Sequence, residues 1–146
     1  MIPTRSRTMA SSLCAMAAML FAATGFAQTD TTPAEPTVLM QHGIRYVSGG
    51  IGQDEAAAMK KMAEQYSLRV MVAGQGGEYL SDVDVTIASA AGKQIFAART
   101  DGPFLLVRLP AGHYRVSATN GQATATHAVV VPPRGTARLD LHLKQP

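Results

Sequence analysis

Two hydrophobic periods divide the chain. Between Asp54 and Tyr66 apolar residues recur every three or four positions: Met59, Met62, Ala63 and Tyr66 form one stripe, while Lys60, Lys61, Glu64 and Gln65 take the other side. This spacing predicts an amphipathic helix. Asp54 and Glu55 fall in its first turn, where carboxylates meet the positive end of the helix dipole. After Ser67 the period drops to two. Leu68, Val70 and Val72 alternate with Arg69 and Met71 until Gly74-Gln75-Gly76-Gly77 breaks the run, and Val83, Val85 and Ile87 form the next, closed by Ala91-Gly92. Further strands are predicted over residues 94–99, 104–109, 113–119, 123–131 and 139–143.

The punctuation between these runs has its own chemistry. Pro110 and Gly112 supply a tight turn, and Pro132-Pro133-Arg134-Gly135 interrupts the last pair of strands. Asn120 and Gly121 both tolerate the positive φ of a type I′ turn, so they are read as a two-residue hairpin loop. That loop would place Tyr114 opposite His127 and put His113 on the other side of the sheet. Seven short strands with turn signals every 8–12 residues or so imply an all-β sandwich, here with one N-terminal helix. Strand phase assigns Val85, Ile87, Leu105, Val107, Leu109, Tyr114, Val116, Leu139 and Leu141 to one core. Met59, Met62 and Tyr66 should face the sandwich. Upstream, Ile44 to Val47 is read as a short strand before the glycine turn Gly49-Gly50-Ile51-Gly52.

The segment Asp101-Gly102-Pro103-Phe104, continued by Leu109-Pro110-Ala111-Gly112-His113-Tyr114-Arg115-Val116, resembles the DG-x-F…LPAG-x-Y-x-V unit of carboxypeptidase regulatory-like domains. These are transthyretin-like, Ig-like β-sandwiches and mostly non-catalytic. The resemblance extends over the strands from Leu68 to Leu143. The stretch from Tyr46 to Glu55, with the helix behind it, is similar to a subset of small exported bacterial proteins that carry this domain. It implies a seven-stranded sandwich over 67–146, preceded by a strand, glycine turn and helix over 37–66. It also implies an accessory or protein-interaction role.

Residues 1–27 have the layout of a secretory signal: Arg5 and Arg7, an apolar run from Leu13 to Phe26, and small Gly25 and Ala27 before Gln28. The run falls short of a spanning helix, which needs about 20 apolar residues. A periplasmic product without a membrane span is therefore expected. Cys14 lies in the signal behind bulky Leu13, a poor context for lipid attachment, and no cysteine follows it. The 119 residues after Ala27 keep 11 Lys and Arg against 10 Asp and Glu. With that balance the sequence pI of about 9.3 makes no electrostatic case for nucleic acid. Residues 28–36, rich in Thr, Pro and acid, read as a flexible leader.

Candidate chemistry is thin. Gly49 to Gly52 before a helix invites a phosphate-loop reading, but no Lys-Ser/Thr follows, and Asp54 and Glu55 would repel phosphate. His42, His113, His127 and His142 do not share a strand phase that would make an open metal site. Met59-x-x-Met62 offers soft sulfur ligands, yet the same spacing is what a helix needs to pack on a sheet. The Tyr-Arg-Gly-Ser ending of 5-hydroxyisourate hydrolases is replaced by Leu143-Lys144-Gln145-Pro146, and no Ser-His-Asp or Cys-His set is suitably spaced. The expectation is a protein that is not an enzyme and carries no cofactor. Its partner would be another envelope protein or a small ligand, a glycan or a metal ion. Tyr79, in a glycine-rich loop and free to stack, and His127 are the ligand-binding candidates.

Overall fold

The computed structural model describes residues 35–144. The expected secretory signal, residues 1–27, and nearly all of the expected leader, residues 28–36, lie outside the described residues. The chain divides into units Met1–Asp30 and Thr31–Pro146, and every described residue belongs to the second.

Nine strands are present rather than seven: β1 (Val38–Gln41), β2 (Ile44–Gly49), β3 (Leu68–Gly74), β4 (Asp84–Ser89), β5 (Gln94–Arg99), β6 (Phe104–Val107), β7 (Gly112–Asn120), β8 (Ala123–Val131) and β9 (Ala137–Leu143). The seven strands expected after Ser67 are all there, and the short strand expected over Ile44–Val47 is β2; the unexpected element is β1, which pairs with it as an upstream hairpin. Its turn is His42-Gly43, with φ of 49° and 78°, the double positive φ of type I′ geometry. Histidine is one of the few side chains enriched at positive φ. β1 itself, Val-Leu-Met-Gln, has no alternation to announce it.

The strands form two sheets, ordered β1-β2-β6-β3-β9 and β5-β4-β7-β8. Every pairing is antiparallel except β3 with β9. Between the sheets lies the main core, built on Leu68, Val70, Val85, Ile87, Phe96, Leu105, Val107, Leu109, Val116 and Leu141. Of the expected core residues, Tyr114 and Leu139 are only half-buried and pack on its margin. Where β1 and β5 meet, the Gln41 side-chain carbonyl accepts the Ala97 amide at 2.9 Å, and the Tyr46 and Phe96 rings meet edge to face at 5.0 Å. The open edge of β5 is thereby partly satisfied.

A second apolar layer lies on the outer face of the first sheet. The helix α1 (Gln53–Met62) and the 3₁₀ turn Ala63–Gln65 place Met59, Ala63 and Tyr66 against Val47, Phe104 and Leu106. Lys60, Lys61 and Glu64 are exposed, as the stripe requires. With apolar layers on both sides, all four residues of β6 are buried, which explains its unbroken Phe-Leu-Leu-Val sequence.

The β7–β8 hairpin corrects one expectation. Its loop is Gly121-Gln122, with Asn120 paired to Ala123 as the last strand residues. Only Gly121 of the two has positive φ, the pattern of type II′ rather than I′. Tyr114 therefore faces Val129, and His127 faces Val116. The slip is two residues, so the faces are preserved and His113 still lies opposite in phase to His127.

The Asp-Gly-Pro segment owes its glycine to close packing. A Cβ on Gly102 would lie 2.5 Å from the Gly49 carbonyl group. Beside it the Ser48 hydroxyl accepts the Asp101 amide at 2.8 Å.

Candidate functional site

A cleft of about 990 Å³ opens at one end of the sandwich. Four separate segments build it: the β1–β2 turn, the end of the 3₁₀ turn, the β6–β7 loop and the β8–β9 loop. It is lined by three guanidinium groups, those of Arg45, Arg108 and Arg134, and by a single carboxylate, that of Glu64.

Sheet pairing brings the first two together. Tyr46 pairs with Val107, and the next step outward joins Arg45 to Arg108, whose amide donates to the Arg45 carbonyl at 2.9 Å. Both continue the phase of Val47 and Leu106, the helix-facing side of the sheet. There the Arg108 Nη1 donates to the Gln65 carbonyl at 3.0 Å, at the C-terminal end of the helical segment, where cations are favoured. The Tyr66 side chain is buried beside them. Burial pushes its phenol above the ordinary value of 10.0, and the charges of Arg45 and Arg108 partly oppose the rise.

Two hydroxyls fix the walls. Ser67 Oγ accepts the Leu109 amide at 2.6 Å and reaches the Leu109 carbonyl at 2.8 Å, so it pins the β6–β7 loop to the start of β3. Thr136 Oγ1 lies 2.9 Å from the Ala63 carbonyl and 2.7 Å from that of Tyr66, tying the β8–β9 loop to the helix end. Pro132 and Pro133 stiffen that loop ahead of Arg134. Among the described residues the one ion pair is Arg99 with Asp82, at 3.6 Å and well exposed. The three cleft arginines take no part in it.

The sequence-based candidates lie elsewhere. Tyr79 bridges to Ala73 of β3 and sets its ring against Phe104, with centroids 5.7 Å apart. It remains 59% exposed and borders a smaller cleft of about 470 Å³ beside Gly50, Ala56 and Lys60 at the helix start. His127 is exposed on β8 in the second sheet and lines neither cleft. The structure therefore does not bring Tyr79 and His127 into one pocket. His113 and His142 are exposed, and His42 stands at the rim of the arginine cleft. No group of three or more His, Cys, Asp or Glu side chains able to share a metal ion occurs among the described residues.

Sequence reasoning missed the arginines. They are far apart in the chain, and each alone looks like an ordinary solvated charge. The one local hint is Arg108, which extends the helix-facing phase of Phe104 and Leu106 beyond the apolar run.

The fold and this cleft together define a two-sheet β-sandwich with a helix on one outer face. No family model matches the chain. No curated protein matches it either. Among solved structures it is similar to the crystal structure of S.CueP, at 14% identity and a TM-score of 0.43, over 52% of this chain and 61% of that one.

Proposed function

We propose that this chain is a non-catalytic, exported accessory module of the bacterial envelope, of carboxypeptidase regulatory-like type, that works by binding a partner protein. The observation that carries the reading is the end cleft. It is a large concavity built from loops, fixed by Ser67 and Thr136, and lined by three arginines that no ion pair neutralises among the described residues. Loops held on a rigid sandwich are a common place for recognition. No helix among the described residues is long and apolar enough to cross a membrane. Export would rest on residues 1–27 and disposition in the periplasm on their removal.

A second reading, weak binding of a glycan, is favoured by one observation. Tyr79 offers an exposed ring above a small, mostly apolar cleft. The two readings separate in one experiment. Tagged protein is used to capture partners from an envelope extract, with Arg45→Gln/Arg134→Gln and Tyr79→Ala variants in parallel. A partner lost only in the arginine variant supports the interaction reading. Identical recovery by wild type and arginine variant would defeat it.

A further inference from the structure

We infer that the end cleft receives an extended, carboxylate-rich peptide segment of a partner protein, an inference that rests on the interaction reading above and names the chemistry of its partner.

The first reason is a pair of like charges without an ion-pair partner among the described residues. Arg45 and Arg108 are adjacent cross-strand residues on one face, joined through their backbones at 2.9 Å. Like charges directly opposite each other on a sheet are unfavourable. The Gln65 carbonyl gives Arg108 a dipole, through one nitrogen only, and leaves the rest of the guanidinium fork free to donate. Arg45 has no ion-pair partner among the described residues. An arriving carboxylate would relieve the repulsion and accept paired N–H bonds from a guanidinium, the geometry for which arginine is better suited than lysine.

The second reason is the distribution of charge. Arg134 stands on a different, proline-stiffened loop, so a ligand that satisfies the whole cleft must present negative charge at more than one point. Between these charges the lining is mixed: Pro110, Ala111 and the 66%-exposed Met40 stand beside Gln65, Ser67 and the lone carboxylate of Glu64. A single inorganic anion would answer one wall and leave most of 990 Å³ to water. A lipid surface is disfavoured because the arginines line a concavity, whereas a membrane needs cations on a protruding face.

The test is fluorescence anisotropy with labelled hexaglutamate, on protein purified after expression of the full chain. Hexaglutamine, inorganic phosphate and phosphatidylglycerol vesicles serve as the other probes. Saturable hexaglutamate binding is expected, weakening with salt and falling about tenfold for each of Arg45→Gln and Arg134→Gln. Lys144→Gln, just past β9 at the opposite end of the sandwich, should leave it unchanged. Unaltered thermal melting of the variants keeps the result free of folding effects. Equal binding of hexaglutamine, displacement by phosphate at matched charge, or binding to vesicles without binding to hexaglutamate would each overturn the inference. Should hexaglutamate fail while envelope capture still depends on the arginines, the peptide chemistry is wrong and the interaction reading stands. Should both fail, both are wrong.

Discussion

The hydroxyl of Ser67 and the side chain of Leu109 act on one loop by different physics. Ser67 satisfies the amide and carbonyl of Leu109, and the Leu109 side chain, 4% exposed, closes the end of the core. Truncating Leu109→Ala should cost about 2–5 kcal/mol through lost burial and a residual cavity. Urea unfolding checks this, and a loss below about half a kilocalorie would be incompatible with a packed site. Gly102→Ala should also destabilise the fold, because the new methyl meets backbone of Gly49 rather than a flexible side chain. A melting temperature equal to wild type would show that the two segments are looser than described. Tyr66 and Tyr114 add a pH dependence. Burial raises both phenols above 10.0 in the folded state. Their contribution is complete below that value and is lost as pH climbs through the folded-state pKa values, since the unfolded chain releases those protons first. Stability should therefore fall on the alkaline side, and Tyr66→Phe should flatten the fall. An identical alkaline profile for that variant would rule Tyr66 out as a source.

At the scale of elements, α1 completes the outer face of the first sheet. Met59 is buried at 1% exposure among Val47, Phe104 and Leu106, while Lys61 on the other side faces water. Met59→Lys should cost about 3 kcal/mol or more by burying an unpaired charge, and Lys61→Met should change little. Equal effects in denaturant titrations would mean that the helix does not pack on the sheet. The helical period was legible in the sequence because one face of α1 is wet. β1 was not, since an apolar four-residue strand at a sheet edge has no contrast between its faces. The β7–β8 turn was placed one residue early for a related reason. Asn120-Gly121 satisfies the local chemistry of a turn, but cross-strand packing of Val116 and Ala118 sets the register, and Gly121-Gln122 meets it.

For the whole molecule, the dispersal of histidines leads to a measurement. His113 and His127 differ in phase within one hairpin, and His142 lies on the other sheet. After incubation with Zn(II) or Cu(II) and dialysis, the protein should keep far less than one equivalent of metal, and its melting temperature should not rise. Stoichiometric retention would return metal binding to the front.

What the sequence determined alone is what depends on contrast between neighbours in the chain. Strand phase from Leu68 onward, the stripe Met59-Met62-Tyr66 and the glycine turn before the helix are all local patterns, because burial on one side of an element writes itself as alternation. The two-sheet arrangement followed from the number and spacing of those strands. What only the tertiary structure decided depends on residues that meet through space. The pairing of β2 with β6 sets Arg45 beside Arg108, Thr136 ties the last loop to the helix end, and Arg134 joins the cleft from 26 residues beyond Arg108. An exposed arginine has the same appearance in sequence wherever it lies; its chemistry comes from the neighbours that folding gives it.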